Sequence, residues 1–193
     1  MIMIHGQNAR GGGLWLVLGL SLLVGCAPSP TPPWVSNGAG QLMQDDPSSM
    51  YGVGSMVMKG GKNVAGAWDL AETRARTALR TILEARTRPV MQAYEADTST
   101  LMGRSRDDIM VERGVKAFSA MMMQGVSIFD RHQDFKTKTF SVVVRLTQHD
   151  FHRTLADMQG LNPKLRDYLQ QHAAQFFEKM EPPHHGTELR QVP

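Results

Sequence analysis

The sequence predicts an α+β fold, and three observations carry that prediction. From Asn63 to Tyr94, apolar residues recur at every third or fourth position, the period of one helix face. From Phe140 to Thr147, the apolar residues Phe140, Val142, Val144 and Leu146 alternate with Ser141, Val143, Arg145 and Thr147, the period of a half-buried strand. A second strand, Val126–His132, precedes it across a short turn at Gln133–Phe135, and so short a connection makes an antiparallel hairpin.

The chain opens on MIMIHGQNARGGGLWLVLGLSLLVGCAPS. Arg10 puts a positive charge ahead of an uncharged apolar run, Leu14–Val24. That run is too short to span a bilayer core, which takes about 20 helical residues, and it has the length of the apolar region of an export signal. It closes on Leu23-Val24-Gly25-Cys26, a bacterial lipobox, in which cleavage follows Gly25 and the Cys26 thiol takes the lipid. The chain has a single Cys, which cannot form an intrachain disulfide. Lipidation explains it, and more than one acyl chain gives stable anchoring. The expected mature chain has 168 residues (193 − 25) and a net charge of +2 (20 Lys and Arg against 18 Asp and Glu). So weak a charge gives no argument for nucleic-acid binding. Ala27 rather than Asp after the Cys resembles the proteobacterial sorting signal for the outer membrane.

Residues 27–49 hold five of the ten prolines, with Gly and Ser between them, and the expected organisation makes 26–49 an extended tether. Trp34-Val35 is its one apolar spot, expected to pack on the domain. A domain over 50–159 follows, then a C-terminal helix over 160–181 and a disordered tail over 182–193. MYGVGSMVM, 50–58, reads as a strand and Lys59-Gly60-Gly61-Lys62 as a turn. The glycines do not have the spacing of a phosphate loop, and a Gly pair here suits close packing by a helix.

On the long helix, Val64, Trp68, Ala71, Ala75, Ala78, Leu79 and Ile82 share one face, and Asp69, Glu72, Arg76, Arg80 and Glu84 the other. Pro89 is expected to kink or break it near 86–88. Arg74, Arg76, Arg80, Arg86 and Arg88 suggest an anion-binding face, but the interleaved acids favour a solvated one. Residues 96–104 read as a loop and Ser105 with Asp108 as a capping box. A helix over 106–124 follows, with Val111, Val115, Phe118 and Met122 on one face and Gly125 as its stop. Met121, Met122 and Met123 cannot all lie on that face, so they either fill the core or reach a partner interface. After the hairpin, a helix over 150–159 carries Phe151, Leu155 and Met158. Asn162-Pro163 then caps a helix running to about 180.

Two clusters have the residue types of a metal site: Asp130, His132 and Asp134 on one face of the hairpin, and His149, Asp150 and His152 at a strand-to-helix junction, with His184-His185 as further ligands. Asp near turns and helix starts more often caps backbone N–H groups. No catalytic, cofactor or metal site is therefore assigned, and the chain is read as no enzyme.

A lipobox, a tether ending in PPWV, the strand YGVGSM, the helix AWDLAETRARTALRTIL and the segment GVSIFDRHQDFKTKTFSVVVRL follow in order. This layout, over roughly 33–158, resembles the LPP-twenty lipoprotein family, the Helicobacter-type twenty-kilodalton membrane-associated lipoproteins. It is similar also to flagellar basal-disk lipoproteins of the outer membrane. Its strongest marks are Trp34-Val35, Gly52-x-Gly54, the Ala71-x-x-x-Ala75-Arg76 helix and Asp130. The resemblance implies a compact α+β domain, with a small antiparallel sheet of about three strands against a long helix, and no catalysis. It implies a structural or scaffolding lipoprotein, lipid-anchored in the outer membrane, periplasmic or surface-exposed. Its partners would be the membrane, envelope proteins and possible copies of itself, with a flagellar basal structure as the sharpest version. The alternative is an envelope module that contacts peptidoglycan or regulates a wall enzyme, with the Arg face as its candidate surface.

Overall fold

The computed structural model describes residues 31–60, 63–102 and 108–177, without side chains for 99–102 and 108. Cys26 and Gly25, the Ser105 cap, His184-His185 and the tail all lie outside the described residues. The unit beginning at Thr31 is compact by itself. Its elements are α1 (Pro33–Asn37), α2 (Ala39–Asp45), β1 (Ser49–Val57), α3 (Val64–Met102), α4 (Asp108–Met122) and a single 3-10 turn (Met123–Gly125). The hairpin β2 (Ser127–Asp134) and β3 (Thr139–Thr147) follows, then α5 (Gln148–Asp157), α6 (Pro163–Gln171) and α7 (Ala173–Phe177). The three strands form one antiparallel sheet in the order β1-β3-β2, packed on the long helix α3, so the fold class is α+β as the sequence predicts.

Helix α3 sets the geometry of the core. Ala67, Ala71, Ala75, Leu79, Leu83 and Thr87 recur at every fourth residue and are all buried. Small residues on this ridge let the helix backbone approach β1. Gly52 and Gly54 complete the approach. A Cβ on Gly52 would strike the carbonyl oxygen of Ala75 and lie 2.7 Å from Leu79 N, and one on Gly54 would strike Ala75 N and Ala71 O. Met50, Phe140, Val142, Val144 and Leu146 fill this side of the sheet. Trp68 meets Phe140 edge-on at 5.0 Å. Val111, Val115, Phe118 and Met122 of α4 close the core with Phe151, Leu155, Leu169 and Phe176, as their spacing predicts.

Four expectations need correction. The expected tether is folded from Pro33 onward. Pro33 stands in the first turn of α1, where its missing N–H costs nothing, Gly38 turns the chain at φ 71° and Pro47 follows the end of α2. These prolines and glycines are helix punctuation rather than the marks of an extended chain. Second, α3 neither breaks at Pro89 nor ends before 96, but runs on to Met102. Pro89 and Ala85, whose carbonyl loses its N–H partner, are both exposed, so water can satisfy that oxygen. Thr87, Val90 and Met91 stay buried and hold the helix in register. Pro89→Ala should therefore raise the urea midpoint, by roughly 1–2 kcal/mol of stability, less than the ~3 kcal/mol of a fully interior proline; an unchanged midpoint would mean that the helix has no strain there. Third, the hairpin turn lies at 135–138 rather than 133–135. Asp134 accepts from the backbone N–H groups of Lys136 and Thr137 at 2.8 and 3.3 Å, which fixes the turn after it. Fourth, the C-terminal helix is interrupted at His172, giving α6 and α7.

Strand β3 departs from a half-buried strand for a related reason. Val143 is fully buried as well as Val142 and Val144, because α1 and α2 cover the second face of the sheet. There Trp34, Tyr51 and Val143 form a second small core, with Val35, Ala39, Leu42, Met43 and Val53 around it. A buried Trp34 agrees with its expected packing on the domain.

Candidate functional site

The first described segment, α1 and α2, is held on this second face. Ile128 pairs with Val144 and Asp130 with Val143, so Phe129 is an extra residue, a β-bulge. The bulge changes which face the following residues occupy. Asp130 is thereby moved from the α3 side of the sheet to the α1 side. Its Oδ2 there accepts a 2.9 Å hydrogen bond from Trp34 Nε1. Asp130 Oδ1 accepts from the backbone N–H of Arg131. Phe129 itself lies edge-on to Tyr51 at 5.3 Å, under the Arg145 guanidinium at 4.9 Å. Trp34 and Asp130, singled out separately in the sequence, are thus one clamp across 96 residues.

A second tie holds the exit of this segment. Asp46 accepts from Ser48 N, Ser48 Oγ and Tyr51 Oη, at 3.2, 2.6 and 3.0 Å. Hydrogen bonds from Ser48 above all, and from Ser49 and Tyr51, hold its carboxyl below the usual carboxylate range. Burial, and then the bond to Asp46, push the Tyr51 phenol up.

Of the residues with metal-site chemistry, Asp134 and Asp150 are engaged in turn and helix-start hydrogen bonds. Asp134 fixes the hairpin turn, and hydrogen bonding from the Thr137 side chain above all, then from the backbone N–H groups of Lys136 and Thr137, lowers its pKa. Asp150 stands in the first turn of α5, which Thr147 caps: its N–H donates to Thr147 Oγ1 at 3.0 Å, Thr147 Oγ1 donates back to its carboxylate at 2.7 Å, and Arg153 pairs with it at 2.7 Å. His149 is exposed and His152 packs edge-on to Phe151. Among the described residues, no group of three or more His, Cys, Asp or Glu is placed to hold a metal ion.

The arginines of α3 also have internal partners. Arg74 donates to Ser55 O at 2.6 Å, on the free edge of β1. Arg76 pairs with Glu72 at 2.9 Å and reaches the carbonyls of Met123 and Val126. Arg80 pairs with Glu84 and Arg88 with Glu112. Arg86 donates to Phe176 O, and its half-burial lowers its pKa. These arginines therefore tie elements together and do not converge on a common point. Met122 is buried in the core, and the partly buried Met121 and Met123 pack against it. A shallow apolar cavity of about 120 Å³ lies between α3, α4 and α6, lined by Met91, Tyr94, Val111 and Leu165 among others. No described helix is long and apolar enough to cross a membrane.

Sequence reasoning singled out both partners of the Trp34–Asp130 clamp but not their contact. A bulge leaves no compositional trace in SIFDRHQD, and nothing else in that strand marks its change of face. No protein-family model matches the chain, and no curated protein matches it.

Proposed function

We propose that this chain is a bacterial lipoprotein, lipidated on Cys26 after cleavage behind Gly25, and a non-enzymatic structural or scaffolding component at the outer membrane. The observation that carries the reading is the lipobox Leu23-Val24-Gly25-Cys26, which holds the chain's single Cys at the end of an uncharged apolar run. The clamp between Trp34 and Asp130 supports it, because it joins two of the four marks on which the LPP-twenty resemblance rests. The domain then acts through contacts with envelope proteins, further copies of itself included, and a flagellar basal structure is the sharpest version of that role. The alternative is an envelope module that contacts peptidoglycan or regulates a wall enzyme; the arginines of α3, its candidate surface, already pair with residues of the domain.

Mass spectrometry of the mature N-terminus tests the anchor. The expected product starts at Cys26 and carries acyl chains, and Cys26→Ser should leave an uncleaved, unacylated chain. A mature chain that starts elsewhere, or an unmodified Cys26, would overturn the reading. Crosslinking in intact cells, followed by identification of the attached proteins, tests the scaffolding role; retention by purified, protein-free sacculus would favour the peptidoglycan alternative.

A further inference from the structure

The hairpin end of the sheet carries an exposed group of side chains that neither core uses. Phe135, at the start of the β2–β3 turn, is 79 % exposed, the most exposed large apolar residue described. Val57, at the end of β1, is 48 % exposed. Met58 N donates to Lys138 O at 3.0 Å, which holds the end of β1 beside the turn. Lys59, Lys136 and Lys138 are exposed around these two residues, and none is in an ion pair among the described residues. The one acid of the turn, Asp134, faces its backbone N–H groups. The turn is ordered by its own bonds, including Thr137 Oγ1 to Thr139 Oγ1 at 2.7 Å, so it presents Phe135 without having to fold on contact.

We propose that this end of the sheet docks on the surface of an anionic phospholipid bilayer, with Phe135 and Val57 in the interface and the three lysines among the headgroups. An exposed aromatic ringed by cations matches such a surface in both polarity and charge. Chain length places the surface within reach, and in this respect the proposal rests on lipidation at Cys26. From Cys26 to Trp34 an extended chain spans at most about 28 Å. Trp34 is bonded to Asp130, and five strand residues of about 3.3 Å each lead from there to Phe135, roughly 17 Å. An anchored domain therefore cannot stand off far from the bilayer, and its hairpin end can touch it.

The test uses a chain beginning at Ala27, which contains the whole compact unit and neither the signal nor the lipid site. It is sedimented with vesicles of phosphatidylcholine and phosphatidylglycerol in a two-to-one mixture, and with pure phosphatidylcholine vesicles. The expected result is co-sedimentation with the mixed vesicles, weaker at high salt, and little with the neutral ones. One lysine near an anionic surface contributes roughly a fivefold factor in partitioning. Lys136→Gln with Lys138→Gln should therefore lower it roughly twenty-five-fold, and Lys59→Gln, on a separate element, about fivefold. Phe135→Ser should weaken binding to the mixed vesicles at every salt concentration. All these positions are exposed, so thermal melts should stay as in the parent. Failure of the parent to bind mixed vesicles, or binding indifferent to these substitutions, overturns the proposal. The anchor reading is decided separately by the mass of the mature N-terminus.

Discussion

Replacing Gly54 by alanine is expected to cost about 3 kcal/mol or more of stability, although the change adds a single methyl group. The atoms that a Cβ there would meet are Ala75 N, Ala71 O and, at 2.8 Å, Arg74 C. All are backbone atoms of α3, so no rotamer change can relieve the clash. The helix would have to lift off β1, opening the contacts of Ala71, Ala75 and Leu79 along the same ridge. Gly52→Ala should behave alike, since its Cβ would meet Ala75 O and Leu79 N. Urea unfolding followed by circular dichroism is the measurement. A midpoint equal to that of the parent for both variants would mean that the helix does not sit as close to the strand as described.

Trp34→Ala is expected to cost about 4 kcal/mol, as truncation of a buried tryptophan does. The effect has two parts. The indole is only 4 % exposed and holds the second core together with Tyr51 and Val143. Its Nε1–H also satisfies the Asp130 carboxylate. Trp34→Phe separates them, retaining most of the packing and losing about 1–2 kcal/mol with the charge-assisted hydrogen bond. Because α1 and α2 contribute nothing to the α3 side of the core, the alanine variant should lose them locally first. Limited proteolysis should then cut between 36 and 41 in that variant before the rest of the domain unfolds. Equal resistance in variant and parent would sink this account.

Much of the α3 side of the fold was legible in the sequence. The ridge from Ala71 to Leu79, the apolar face of α4, the alternation in β3 and the Asn162-Pro163 cap are local patterns, and each was found where its period placed it. Asn162 Oδ1 accepts from Lys164 N at 2.9 Å as such a cap should. The misreadings share a different cause. Pro33 and Pro47 fit an extended chain and a helix boundary equally well until a partner for Trp34 is known. Pro89 breaks a helix only if Ala85 O has no access to water. The burial of Val143 depends on a segment one hundred or more residues earlier in the chain. In each case the deciding contact is distant in sequence, and periodicity carries no information about it. At Asp134 and Asp150 the hydrogen bonds are to near neighbours in the chain, a turn and a helix start, and those spacings are local too.

The docking of α1 and α2 also has a mechanical consequence. If Cys26 carries a lipid and the domain binds a partner, as proposed, the two would pull the chain in opposite directions, and Trp34 is the first buried residue of the described unit that the tension would meet. The two short helices lie on a sheet whose other face is gripped by α3. They could peel away one after the other while the sheet stays folded. Peeling them would free residues 33–48, and at about 3.4 Å per residue the distance from the lipid to Ser49 would grow to roughly 80 Å. The segment would then serve as an extensible link, giving slack under load and rewinding once Trp34 regains Asp130.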